Sequence, residues 1–188
     1  MDRFVANTRK KVIQVGWWLR NMHAIFTVRF RGYEKVLLDL TGQPEVREYF
    51  EREEAHLVRE GRFRTELLQT AVVLPYVPNA AYDALLAENL VFLDLYGSSA
   101  NNAIVECIAR GTPLLVNPLP AVEEYLGESY PLYYSSYEEA EYKAGNLDLL
   151  EKAHAHLRSA PIQQQIDPRF FLRSFMQSEV FRRLSDGK

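Results

Sequence analysis

The residues best suited to chemistry lie in one stretch, 90–117, where a loop of small side chains follows an apolar run. The loop contains Ser98 and Ser99, and a helix is predicted to begin after it at Asn101. Free amides at a helix start, together with the dipole of the helix, provide partial positive charge that suits a phosphate group. Small side chains would let such a group approach the backbone closely. The pattern therefore predicts an anion site at this loop.

Asn102 and Glu106 stand four residues apart and therefore share one face of the predicted helix. A carboxylate one turn inside such a helix could accept hydrogen bonds from ribose hydroxyls. The alternative is that the loop only turns a strand into a helix and that Glu106 is solvated, because turns rich in Gly and Ser are common. The residues alone leave both interpretations open.

The segment after the first predicted strand begins at Gly16 and ends at Arg20. A guanidinium near the carboxyl edge of a sheet can hold phosphate oxygens in a forked geometry, and a structural ion pair is the alternative for Arg20. Trp17 and Trp18 are expected to pack against the core or against an adjoining domain. No G-x-G-x-x-G occurs in the chain, so the segment is not a dinucleotide fingerprint.

Other reactive residue types give weaker signals. The four histidines show no spacing typical of metal ligands, so no metal and no cofactor are predicted. His154 and His156 are expected on a solvated helix face. The serines of the loop do not lie in a G-x-S-x-G turn, which argues against a hydrolase nucleophile. No catalytic residue is assigned.

The composition of the chain limits its class. The 188 residues are 47% hydrophobic, enough for one domain with a core. A net charge of -3 argues against a general nucleic-acid binder. The single Cys107 excludes an internal disulfide. No run is apolar enough to span a bilayer, and the first residues lack the apolar segment of a secretory signal. We therefore expect a soluble cytoplasmic protein.

Strands and helices alternate along the chain, which predicts an α/β fold with a doubly wound parallel sheet in a single domain. Strands are predicted at residues 11–15, 36–40, 71–74, 91–95, 114–116 and 132–134. Helices are predicted at residues 80–88, 101–110, 121–126, 137–157 and 168–184, with one or two more in the charged stretch 45–66 and a helix or structured loop over 19–30.

Four single residues are expected to bound these helices. Asn79 and Asp167 can cap the helices that follow them. Gly111 fits the left-handed position just after a helix end, and Gly127 closes the short helix before it. The final helix, 168–184, mixes phenylalanine with arginine. It is expected to pack back on the domain or on a partner domain, and contact with a membrane surface is the alternative.

An ordered set of motifs resembles the C-terminal, donor-binding half of retaining GT-B-fold glycosyltransferases. Glu106-Cys-Ile-Ala-Arg-Gly-Thr-Pro113 matches the family pattern Glu-Ala/Cys-x-Ala-x-Gly-Thr-Pro, and an apolar strand follows it in both. Segment 118–127 resembles the family's Pro and Glu before a short helix. Segment 74–79 resembles its nucleotide-base loop, and segment 16–20 its Gly-Arg-Leu region at the diphosphate.

The resemblance implies a Rossmann-like domain, one half of a GT-B fold, that binds a nucleotide diphosphate sugar as donor substrate without a cofactor. It places Glu106 at the ribose, backbone amides of the small loop at the diphosphate, Arg20 at the leaving phosphates, and the loop before residue 79 at the base. The residues that it assigns to the nucleotide sugar are Gly16, Arg20, Tyr76, Val77, Pro78, Ser98, Ser99, Asn101, Asn102 and Glu106.

The chain departs from the family in two ways. The family usually has a glutamate at the donor sugar eight positions before the residue matched by Glu106, and here that position is Ser98. A GT-B enzyme also has two Rossmann-like domains around its cleft, so an acceptor-binding domain or subunit would have to complete this one. A non-catalytic interaction or regulatory domain derived from the GT-B fold is the alternative, with the charged stretch 45–66 as its partner surface.

Overall fold

A five-stranded parallel sheet forms the centre of a computed structural model that describes residues 2–38, 42–98 and 102–185. Its strands are β1 (Lys11–Gln14), β2 (Glu34–Leu38), β3 (Val72–Leu74), β4 (Leu90–Leu93) and β5 (Leu114–Val116). They lie in the order β3-β2-β1-β4-β5, and every adjacent pair is parallel. The order reverses between β1 and β4. The loops that follow these two strands therefore flank the crevice in which folds of this type bind ligands.

Helices surround the sheet and bury an apolar core against it. All four residues of β4 are buried, as expected for a central parallel strand covered on both faces. The helices are α1 (Arg3–Ala6), α2 (Ala24–Thr27), α3 (Pro44–Arg59), α4 (Asn79–Glu88), α5 (Asn102–Arg110), α6 (Pro120–Leu126), α7 (Tyr137–Ala144), α8 (Leu147–Leu157), α9 (Ala160–Gln165), α10 (Pro168–Gln177) and α11 (Glu179–Ser185), with a 3-10 helix at Thr65–Thr70.

The α/β prediction is confirmed, since the sheet is parallel and Rossmann-like. The sixth predicted strand, 132–134, is wrong because Tyr133 makes only an isolated bridge with Val116. Two backbone hydrogen bonds join this segment to β5, and the side chain of Tyr134 holds it by donating to the carbonyl of Leu93. The apolar side chains of this segment are buried in the core, although the segment does not form a strand of the sheet.

Two predicted helices are each divided in two. Asn146 accepts a hydrogen bond from the backbone amide of Leu149 and so starts α8 separately from α7. Asp167 caps α10 as predicted by accepting from the amide of Arg169. That helix ends at Gln177, and α11 begins after Ser178. Polar residues that can cap a helix therefore divide both long helical patterns.

Other helix boundaries agree with the sequence except at α4. Gly111 has φ +69°, as predicted for the left-handed position after a helix, and Gly127 ends α6 at φ +79° and ψ 152°, outside the left-handed helical region. Asn79 is the first helical residue of α4, and Pro78 occupies the cap position instead. Residues 39 and 40 of the predicted second strand lie outside the described residues.

The N-terminal segment contacts α8 in a way that the sequence did not indicate. His154 is buried, not solvated: its Nδ1 lies 2.5 Å from the carbonyl oxygen of Gly111 and its Nε2 lies 2.9 Å from Asp2 Oδ2. The ring of Phe4 stacks on it at 5.2 Å. The prediction of a solvated histidine was wrong because α1 covers this face of α8. No helix in the described ranges is long and apolar enough to cross a membrane.

Candidate functional site

Two loops meet at the carboxyl edge of the sheet, one after β1 and one after β4. Arg20 and Leu95 form an antiparallel bridge, and the amide of Tyr96 donates to the carbonyl of Leu19 at 2.9 Å. The amide of Asn21 donates to the carbonyl of Asp94 at 2.8 Å. The backbone of the loop that carries Arg20 is therefore fixed to the neighbouring strand end at the topological switch point.

Arg20 folds back on the start of its own loop. Its side chain is buried, and Nη1 donates to the carbonyl of Val15. Gly16 has φ +72°, and a Cβ there would overlap Arg20 Nη1, so only glycine allows this arrangement. Burial lowers the pKa of Arg20, partly opposed by negative charge that includes Glu106. An arginine remains protonated under such a shift, so the site keeps its positive charge.

Glu106 is half-buried on α5 and is held by a residue of α4. The hydroxyl of Tyr82 donates to Glu106 Oε2 at 2.5 Å. Burial, then this hydrogen bond and the carboxylate charge, raise the pKa of Tyr82, so its hydroxyl keeps the proton that it donates. Glu106 is thus not merely solvated, and Tyr82 orients it. Sequence analysis missed Tyr82, although its place in the helix before β4 was a usable signal.

The small-residue loop is described only in part. Ser98 is half-buried, and its Oγ has no hydrogen-bond partner among the described residues. Ser99 and Asn101 lie outside the described residues. Asn102 is exposed at the first turn of α5, so that face of the helix start is open to solvent. The predicted anion site at this helix start stays a prediction.

Tyr76, Val77 and Pro78 follow β3 and lead into α4 at the same edge of the sheet. Tyr76 is 76% exposed, whereas Val77 packs against the core. The carbonyl of Pro78 accepts the amide of Tyr82, the residue that orients Glu106. One turn of α4 therefore joins the predicted base loop to the predicted ribose contact.

A polar network around Asp94 supports the Arg20 loop, and the sequence analysis did not identify it. Asp94 accepts hydrogen bonds from Asn21 Nδ2 at 3.0 Å, from the Tyr134 hydroxyl at 3.1 Å and from the Tyr137 hydroxyl at 2.8 Å. Burial, then the Asp94 charge, raise the pKa of both tyrosines. The available signal was a lone carboxylate in an apolar run.

Helix α3 supports the same loop from the other side. Glu53 Oε2 accepts a hydrogen bond from the amide of Met22 at 2.8 Å and lies 2.7 Å from Nδ1 of the fully buried His23. The hydroxyl of Tyr49 donates to the carbonyl of Arg20 at 3.0 Å. His23 thus has a structural role. The half-buried Trp17 contacts the ring of Tyr49, whereas Trp18 is 63% exposed.

The described geometry defines a Rossmann-like domain in which the loops after β1 and β4 meet at the topological switch point of the sheet. No protein-family model matches the chain, and no curated protein matches it. Among solved structures, an alpha,alpha-trehalose-phosphate synthase (UDP-forming) from Burkholderia vietnamiensis is similar, with a TM-score of 0.59 and 17% identity. The match covers 89% of this chain and 42% of that chain, so this chain spans less than half of the similar protein. At this identity the similarity shows the fold alone, and it supports a GT-B-like domain.

Proposed function

We propose that this chain is the donor-binding domain of a glycosyltransferase and binds a nucleotide diphosphate sugar at the crevice between β1 and β4. The observation that carries the proposal is the pairing, at one sheet edge, of Arg20 folded over Gly16 with Glu106 held by Tyr82. The name of the similar synthase states that it forms UDP. A nucleoside diphosphate leaving group is consistent with that name.

Arg20 and the start of α5 would stabilise the leaving diphosphate. Negative charge increases on the diphosphate oxygens as the bond to the sugar breaks, and fixed positive groups stabilise that charge more than they stabilise the ground state. The bridge to Leu95 and the hydrogen bond from Tyr49 fix the backbone of Arg20 before a ligand binds. Little reorganisation would therefore be required.

Glu106 would hold the ribose. Tyr82 occupies one carboxylate oxygen, and a carboxylate has acceptor capacity left for two ribose hydroxyls. The exposed ring of Tyr76, in the loop between β3 and α4, would flank the base. Arg20 at the diphosphate, Glu106 at the ribose and Tyr76 at the base would thus contact the three parts of one bound nucleotide.

A second domain or subunit would bind the acceptor and complete the active site. Trp18 beside the crevice and the apolar face of α10 are exposed, and exposed apolar patches of this kind mark interaction surfaces. The exposed apolar residues of α10 are Phe171, Leu172, Phe175 and Met176. No residue of α10 or α11 within the described range is buried, so these helices have a surface available for that partner.

Calorimetric titration with UDP, GDP and ADP tests the proposal. We expect one diphosphate to bind saturably, Arg20→Ala to weaken it by about tenfold or more, and Glu106→Gln to weaken it severalfold, as for lost charged hydrogen bonds. Arg173→Ala is the matched control, because Arg173 follows the same aromatic-aromatic-Leu pattern but is exposed on α10. Circular dichroism checks that each variant is folded.

Two results would contradict the proposal. If Arg20→Ala and Glu106→Gln both bound the diphosphate as tightly as the parent chain, the nucleotide would not bind at this crevice. A folded chain that binds no diphosphate would favour the non-catalytic interaction domain. Ser98, which stands where the family has a glutamate, is the sequence feature consistent with that second outcome.

A further inference from the structure

A cavity lies at the amino edge of the sheet, opposite to the crevice, where β1 and β2 begin. Lys11 and Glu34, the first residues of these two parallel strands, are paired in register, so the segments before both strands meet at this edge. The cavity has a volume of about 600 Å³, within the roughly 300–1,000 Å³ range of small-molecule sites. None of the residues predicted for the nucleotide lines it. Its charged and hydroxyl-bearing lining residues are Thr8, Arg9, Lys10, Lys11, Arg31, Tyr33 and Glu34.

The wall of this cavity is cationic. It contains four Lys and Arg side chains, and Glu34 is the one carboxylate among the described residues that line it. Glu34 Oε2 lies 2.9 Å from Lys11 Nζ, so these two charges compensate each other. Lys10 Nζ donates to the carbonyl of Asn7 at 2.5 Å and lies 4.5 Å from the centre of the Phe4 ring. The carboxylates of α7 and α8 line an adjoining groove. The charge that is left for a ligand therefore comes mainly from the two arginines.

Arg9 and Arg31 are both exposed, and neither side chain makes an ion pair or a hydrogen bond with any described residue. Short turns fix the backbone at both. The amide of Arg9 donates to Asn7 Oδ1 at 2.9 Å, and the amide of Tyr33 donates to the carbonyl of Phe30 at 3.1 Å, which closes the turn that contains Arg31. A guanidinium can hold phosphate oxygens through two parallel hydrogen bonds, so two such groups on one wall suit a phosphate.

The cavity also has an apolar part, formed by Tyr33 and Leu147. The hydroxyl of Tyr33 donates to the carbonyl of Ala144 at 2.7 Å, which fixes the position of the ring. Leu147, the first residue of α8, is 65% exposed. A single phosphate ion is much smaller than this cavity and would leave the apolar part unoccupied. An organic group attached to the phosphate would cover it.

We propose that this cavity is a second ligand site, which binds a small organic molecule through its phosphate group. Arg9 and Arg31 hold the phosphate, and Tyr33 and Leu147 contact the organic part. The inference does not depend on the proposed function, because the cavity lies at the opposite edge of the sheet from the donor crevice and uses none of its residues.

Chemical-shift titration of the ¹⁵N-labelled chain with phenyl phosphate and with inorganic phosphate, at constant ionic strength, tests this inference. We expect saturable shifts at the amides of residues 8–11 and 31–34, with phenyl phosphate bound severalfold more tightly because its ring contacts the apolar part. Arg9→Ala and Arg31→Ala should each weaken phenyl phosphate about fivefold, since each removes charged hydrogen bonds. Arg31→Lys keeps the charge but loses the forked geometry, so it should weaken binding about twofold.

Arg59→Ala is the matched control for the alanine variants. Arg59 is exposed on α3 and does not line this cavity, so its loss changes the net charge equally and should leave the affinity unchanged. Equal weakening by Arg59→Ala and Arg31→Ala would show that the probe responds to overall charge, and would overturn the site. Circular dichroism checks that each variant is folded.

Repeating the titration with Arg20→Ala separates this site from the donor crevice. A phosphate bound at the amino edge should keep its affinity in Arg20→Ala. Shifts confined to the loops after β1 and β4, and lost in Arg20→Ala, would overturn the second site and leave the donor proposal intact. A lack of shifts at residues 8–11 and 31–34 with both probes would also overturn it. Equal affinities of the two probes at those residues would support the phosphate site and assign inorganic phosphate as its ligand.

Discussion

Two segments of similar composition occupy opposite environments in this molecule. Residues 17–20 are Trp-Trp-Leu-Arg and residues 170–173 are Phe-Phe-Leu-Arg. Arg20 is 8% exposed and donates to a backbone carbonyl, whereas Arg173 is exposed and Phe171 is 69% exposed. Residue type alone therefore does not decide whether an aromatic and cationic segment becomes part of a site.

The neighbouring elements make the difference. The first segment follows β1, and the backbone next to it is bonded to the end of β4 and to α3. The second segment lies in α10, a helix that begins after the cap Asp167 and contacts α9 and α11. A loop held by its neighbours can present a charge in a fixed position, while a self-contained helix can only offer a surface.

Removing the Asp94 carboxylate should weaken the first segment most. Asp94→Ala removes the charged acceptor of three hydrogen bonds, from Asn21 Nδ2 and from the hydroxyls of Tyr134 and Tyr137. Asn21 keeps a bond to the Tyr137 hydroxyl and Tyr134 keeps one to the carbonyl of Leu93. Because each such loss in a buried site costs about 1–3 kcal/mol, we expect the free energy of unfolding to fall by about 3 kcal/mol. Urea denaturation measures this change.

Tyr137→Phe is the matched control for Asp94→Ala. It removes one of the three donors and leaves the carboxylate in place, so we expect a loss of about 1 kcal/mol. A loss below about 1 kcal/mol for Asp94→Ala would show that the network does not support the Arg20 loop, and the contrast between the two segments would then need another cause.

Gly16→Ala should disturb Arg20 specifically. The new Cβ would overlap Arg20 Nη1 and would also be strained at φ +72°. We expect about 2 kcal/mol of destabilisation and a loss of diphosphate affinity as large as that of Arg20→Ala. Denaturation and calorimetry on the same sample separate the two effects.

Gly32→Ala supplies the comparison, because Gly32 has φ +82° but nothing lies within 4 Å of its would-be Cβ. It should cost about 1 kcal/mol from backbone strain alone and leave nucleotide affinity unchanged. Equal affinities in the two alanine variants would show that Arg20 does not contact the ligand from its present position.

The fold was largely predictable because its signals are local. Apolar runs, the left-handed Gly111 and the cap Asp167 each act within a few residues of themselves. The errors came where a polar residue interrupts a pattern that otherwise continues, as Asn146 does between α7 and α8. The false strand at 132–134 had the apolar pattern of a strand, but side-chain contacts produced it.

For the candidate site, the sequence predicted where the residues lie in the fold but not which side chains orient them. Gly16, Arg20 and Glu106 lie at strand ends or on a helix face, which the order of elements already locates. The groups that orient them come from distant parts of the chain: Tyr82 is 24 positions from Glu106, and Tyr137 is 43 positions from Asp94. No local pattern encodes such pairs, because tertiary packing alone brings them together.

Raising the pH should lower the cost of burying Lys35, which binds the chain just after the first segment. Lys35 donates to the carbonyls of Phe26 and Val28, just after the Arg20 loop. Burial lowers the pKa of Lys35 from 10.5 to about 8, partly opposed by the charge of Glu141. The unfolded chain therefore binds more protons than the folded chain between these values. The contribution of Lys35 to the free energy of unfolding should therefore rise from about pH 8 toward pH 10. Buried tyrosines with a raised pKa, among them Tyr82 and Tyr134, stay protonated in the folded chain and lower the free energy of unfolding as the pH approaches 10, so the Lys35 contribution is measured as the difference between the parent chain and a variant without the lysine.

Lys35→Met isolates that contribution. The variant loses three hydrogen bonds and some stability at every pH, so the slope and not the absolute value is the measurement. Urea denaturation at several pH values should give, between about pH 8 and pH 10, a slope of the free energy of unfolding that is less positive or more negative in Lys35→Met than in the parent chain. An identical slope in both proteins would assign the rise to other groups and remove the evidence that Lys35 is desolvated.

Deleting residues 168–188 should have the smallest effect on stability. No residue of α10 or α11 in the described range is buried, so we expect the free energy of unfolding to change by less than about 0.5 kcal/mol. Deletion from residue 160 onward is the contrasting variant, because it also removes the buried Ile162 and the bonds from Gln163 Nε2 to the carbonyls of Ile108 and Leu157. That longer deletion should cost about 2 kcal/mol or more. If the shorter deletion were equally costly, the second segment would be a structural part of the domain, and its exposed aromatic face would no longer support a docking role.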